Sequence, residues 1–75
     1  MCLRCWRHVE RATQLAVHRT VKLRGPKVDA TWAPWWRAQA IARAEVAKAT
    51  GVPMDVDAWL TAQMTFATNL ERKAA

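Results

Sequence analysis

The chain is expected to be all-α, a compact three-helix bundle with helices over about 2–24, 32–50 and 55–73. Three observations predict it. Apolar side chains recur at helical rather than alternating spacing along most of the sequence. The two glycines and three prolines are too few for a loop-rich chain, and most of them fall between the periodic stretches. Alanine and arginine, both strong helix formers, fill the intervening residues. At 75 residues this is one small domain, 1–75. A chain of this length buries only about 60% of its unfolded surface. Five tryptophans and Phe66 are one way to concentrate burial in few residues.

The first helix divides cleanly. Cys2, Cys5, Trp6, Val9, Ala12, Thr13, Ala16, Val17, Thr20 and Leu23 share one side at 100° per residue. Arg4, Arg7, His8, Arg11, His18 and Lys22 share the other, interrupted only by Leu15. Gly25 is placed to cap the helix and Pro26 to forbid its continuation. The second helix opens at Thr31-Trp-Ala-Pro-Trp-Trp36, with Asp29 or Thr31 as cap and Pro34 in the first turn. It carries two apolar sides, Trp32, Trp35, Ala42, Val46 and Ala49 on one and Ala40, Ala44 and Ala47 on the other. Neighbours on both sides make it the central helix, and a second copy of the chain is another surface those alanines suit. Gly51 and Pro53 end it. Asp55 caps the third helix, whose buried face is expected to hold Val56, Trp59, Leu60, Phe66, Ala67 and Leu70 with Gln63 among them.

The formal charge of +6 is unevenly spread. Residues 1–27 hold Arg4, Arg7, Arg11, Arg19, Lys22, Arg24 and Lys27 against Glu10 alone, whereas the helical hairpin of residues 28–75 is neutral. A solvated helix face usually mixes signs, so a face this poor in acids points to an anionic partner. Arginine, whose planar fork binds phosphate in bidentate fashion, outnumbers lysine there. A continuous first helix spans roughly 30 Å, close to one turn of DNA. The expectation is a nucleic-acid-binding module in which Arg4, Arg7, Arg11, His18 and Lys22 contact phosphates of DNA or RNA. The alternative is an adaptor or inhibitor gripping an acidic protein through the basic face and a patch of Trp32, Trp36 and Arg43. Docking on an anionic membrane is a third reading, weakened by the alanine and threonine content of the first helix's apolar side.

Other chemistry finds less support. Val46-Ala-Lys-Ala-Thr-Gly51-Val52, with Leu60 beyond, resembles the turn of a helix-turn-helix motif. Its would-be recognition helix opens with Asp55 and Asp57, which phosphates repel, so it reads as an ordinary helix–helix turn. Cys2, Cys5, His8 and His18 are enough ligands for zinc, but ten residues of helix separate the two histidines by roughly 15 Å, and no metal site or other cofactor is expected. Two cysteines three apart imply no disulfide framework, and a reducing, cytoplasmic setting is the default. No run of 18 apolar residues offers a membrane span. With no serine, no glycine-rich phosphate loop and no carboxylate pair facing one way, the chain is read as a non-enzyme.

Overall fold

The computed structural model describes residues 3–74, and among them it holds only helices and turns. In chain order these are α1 (Leu3–Trp6), α2 (Arg11–Val21), a 3-10 turn (Ala30–Trp32), α3 (Ala33–Thr50) and α4 (Val56–Ala74). The expected all-α bundle forms, with its first helix in two pieces.

Local hydrogen bonding sets the ends of α3 and α4. Asp29 accepts from the Thr31 N–H at 2.9 Å and from the Thr31 hydroxyl, which opens the 3-10 turn that leads into α3. Pro34 occupies the first turn, where its missing N–H removes no intrahelical bond. Gly51 closes the helix at φ 69°, and the Val52 N–H returns to the Ala47 carbonyl at 3.1 Å. A Cβ at Gly51 would meet nothing within 4 Å, so the left-handed backbone rather than space is what calls for glycine. Asp55 caps α4 by accepting from the Ala58 N–H at 3.0 Å.

The core is alanine. Ala33, Ala38, Ala40, Ala42, Ala44 and Ala67 are buried together with Val9, Val56 and Leu70, and the fully buried side chains are all alanines. Buried positions on both sides of α3 confirm it as the central helix, with α2 packed on one side and α4 on the other. Among the described residues α2 and α4 scarcely meet, and the molecule is correspondingly flat at 38 × 25 × 17 Å. Trp6, Trp35 and Trp59, each on the expected apolar side of its helix, are only half-buried, and Phe66 is 42% exposed. Bulky rings do not fit between helices that alanines draw together, so they close the rims instead.

The largest departure from expectation lies at the N-terminus. No helix runs over 2–24: Arg7–Glu10 break it, and α2 stops at Val21. The His8 and Val9 N–H groups close short turns onto the Cys5 and Trp6 carbonyls, and Val9 turns inward to 4% exposure. Glu10 then adopts φ −58°, ψ 145°, outside the helical region. Gly25 is not the expected C-cap, because Lys22 ends α2 in a helical conformation. Gly25 instead meets the Thr31 hydroxyl, to which its N–H donates at 2.7 Å and from which a Cβ would lie only 3.1 Å.

Close approach across α3 has a measurable consequence. Ala40 is fully buried one turn beyond Trp36. Ala40→Leu is expected to cost about 1–3 kcal/mol through overpacking, lowering Tm by roughly 4–8 °C per kcal/mol. Ala49→Leu, on the exposed side, should melt like the parent in thermal circular dichroism. An unchanged Tm for the Ala40 variant would show that alanine contact does not set the helix spacing.

Candidate nucleic-acid interface

Arg4 on α1, Arg7 in the turn, and Arg11, His18 and Lys22 on and just beyond α2 are all exposed. The expected single row of cations nevertheless does not form, because the helix that would align them is broken. α2 has eleven residues, about 16 Å of axis. Arg4, Arg7 and Arg11 mark the corner at its start, and Arg19, Lys22 and Lys27 are exposed around its far end. His18 is partly committed elsewhere: the Trp6 ring stands edge-on to it with centroids 5.6 Å apart. Along a straight helix those residues would be about 18 Å apart, so the break folds α1 back toward α2.

Two side chains hold the corner. Glu45, on α3, accepts from the Glu10 N–H at 3.1 Å and from the Thr13 hydroxyl at 3.0 Å, both through Oε1. Its Oε2 is buried with no hydrogen-bond partner among the described residues. Gln14 donates to the Trp6 carbonyl at 3.0 Å, beside the Val9 N–H that already reaches it, and to the Val9 carbonyl at 3.1 Å. Sequence reasoning missed both roles. A signal for Glu45 existed: it is the sole acid between Asp29 and Asp55, on a helix otherwise lined with alanine.

Ion pairing is as segregated as the sequence. Among the described residues the ion pairs are Arg37 with Glu71 and Lys48 with Asp57, both within residues 28–75. The exposed cations of the basic third form none. Arg11 also begins a helix that lacks an acid in its first turn, a placement the helix dipole disfavours. Arg24 is the exception among the N-terminal cations: its guanidinium lies 4.6 Å from the Trp32 ring centroid and 4.5 Å from that of Trp35.

The expected patch of Trp32, Trp36 and Arg43 is dispersed. The Trp32 indole N–H donates to the Gly25 carbonyl at 3.0 Å, and the Trp36 N–H donates to the Gln63 side-chain oxygen at 3.0 Å. Trp36 further packs on Phe66 at 4.5 Å between centroids. Arg43 instead borders a shallow depression with Ala47, Met54 and Trp59. Of the zinc candidates, Cys2 lies outside the described residues, and among those described no three His, Cys, Asp or Glu groups gather as a metal site. No described helix is long and apolar enough to cross a membrane.

Asp29 ties the basic loop to α3, and hydrogen bonds from the Thr31 hydroxyl and then the Thr31 N–H lower its pKa. A carboxylate depressed on folding stabilises the fold above its unfolded pKa of about 4 and loses that contribution as pH falls through the lower folded value. Urea midpoints measured from pH 6 down to pH 2 should therefore fall less steeply for Asp29→Asn than for the parent. Parallel curves would sever this link. No protein-family model, curated protein or solved structure matches the chain.

Proposed function

We propose that this protein is a small nucleic-acid-binding module that engages the phosphate backbone through Arg4, Arg7, Arg11 and Lys22, with Arg19 and Lys27 beside them and little reading of base edges. One observation carries the proposal. The exposed cations of the N-terminal third form no ion pair among the described residues, and every acid of the chain but Glu10 is used elsewhere. Glu71 and Asp57 pair within the neutral half, Asp29 and Asp55 cap helices, and Glu45 is spent on backbone and hydroxyl donors. Cations that outnumber the single local acid, Glu10, on short helices suit a dense row of phosphates. The start of α4 offers no competing surface, because exposed Asp55 and Asp57 stand there.

Engagement of an acidic protein through the tryptophans draws less support. The indole N–H groups of Trp32 and Trp36 already have acceptors within the chain, which leaves those rings poorly suited to anchor a polar partner.

Titration of mixed-sequence duplex DNA and single-stranded RNA at 50–200 mM salt tests the reading. Dissociation constants of about 1–100 μM are expected, weakening with salt as counterions are released. Arg7→Ala should reduce the log–log slope by about 1 for duplex DNA, whereas Trp36→Phe, which keeps a ring against Phe66, should bind as the parent does. Absence of binding at 50 mM salt sinks the proposal, as does tighter binding to anionic vesicles than to either nucleic acid.

A further inference from the structure

The break at Arg7–Glu10 has no cause in its own sequence. Residues 2–24 contain neither glycine nor proline, and their apolar and basic sides continue in helical register through the break. What interrupts the helix comes from 35 positions away, where the Glu45 carboxylate draws the Glu10 N–H and the Thr13 hydroxyl onto α3. Inward-turned Val9 and the two bonds from Gln14 complete the bend. Glu10 thereby becomes the N-cap of a second helix although its own side chain makes no capping bond.

We propose that residues 3–21 are a two-state element, held bent by Glu45, whose straight form is a single helix and is the form that grips nucleic acid. The identity of the ligand rests on the reading of the preceding section; the clamp itself rests on the hydrogen bonds. Straightening replaces the Glu45 and Gln14 contacts with regular bonds between each N–H and the carbonyl four residues earlier, so the backbone stays satisfied in both states. It also realigns the cations. At 100° per residue, Arg4, Arg7, Arg11, His18 and Lys22 fall within an arc of about 60° along about 27 Å of one helix. In the bent state α1 leaves that line, and Trp6 stands against His18. A polyanion gains more contacts from the aligned row, so its binding shifts the population toward the straight form. Glu45 is then a positioning residue that tunes affinity without touching the ligand.

Two matched pairs of variants test this while holding charge constant. Glu45→Gln keeps an acceptor at the clamp and Glu45→Ala removes it, and both lose the same negative charge. Cα chemical shifts at residues 7–10 are expected to become helical in free Glu45→Ala and to remain non-helical in Glu45→Gln. The alanine variant should bind duplex DNA about three- to tenfold more tightly than the glutamine variant. The second pair is Arg11→Pro and Arg11→Ala. Residue 11 begins α2 after a residue already extended at φ −58°, ψ 145°, so the bent state tolerates proline. The straight helix does not, because the Arg11 N–H must reach the Arg7 carbonyl. Arg11→Pro should therefore bind at least about fivefold more weakly than Arg11→Ala, with residues 7–10 non-helical even when saturated with DNA.

Equal affinities within each pair, with residues 7–10 non-helical in the wild-type complex, overturn the switch and leave phosphate binding standing. If no variant binds nucleic acid, the functional reading fails, and the shifts of free Glu45→Ala still decide whether Glu45 is the clamp. Should Glu45→Ala not fold, the Arg11 pair and the wild-type complex give the answer.

Discussion

Close contact between backbones along α3 governs how every other element packs. A helix whose buried positions are Ala33, Ala38, Gln39, Ala40, Ala42 and Ala44 brings α2 and α4 near on opposite sides, but contributes little apolar volume of its own. Nothing large can lie between such helices without forcing them apart. The aromatic side chains are displaced to the rims, and there each must reconcile an apolar ring with a polar edge. Trp32 does so through the Gly25 carbonyl and the Arg24 guanidinium, and Trp36 through Gln63 and Phe66.

This arrangement divides the charged residues into two populations. In the neutral half, Glu71 and Asp57 pair with Arg37 and Lys48, and Asp29 and Asp55 cap helix starts. In the basic third, Arg24 is absorbed by the tryptophans and the remaining arginines and lysines face solvent. The acid that reaches this segment from α3, Glu45, spends its Oε1 on a backbone N–H and a hydroxyl. The electrostatic character of the surface and the shape of the N-terminal segment therefore meet at a single carboxylate.

The candidate interface was legible as a set of residues and not as a shape. Periodicity alone identified Arg4, Arg7, Arg11 and Lys22 as solvent-facing, because a helical face is a local property that survives a kink. Their alignment over 30 Å did not survive. The tryptophan patch disperses for a related reason: helical register places Trp32, Trp36 and Arg43 near one another, but each side chain is drawn to different neighbours once α4 and the 25–31 loop are in place.

Neighbours along the chain decide the helical class, the start of α3 after Asp29 with Pro34 in its first turn, its end at Gly51, the start of α4 at Asp55, and the confinement of net charge to the first third. Each rests on interactions spanning a few residues, or on side-chain identity alone. Which apolar faces lie deep, and where the first helix breaks, depend on contacts between distant segments. Phe66 is left partly exposed because alanine contacts set the spacing before any ring can enter. The bend at Arg7–Glu10 exists because Glu45, remote in sequence, offers the Glu10 N–H an acceptor that competes with the helix. No local pattern carries a competition between partners that only folding brings together.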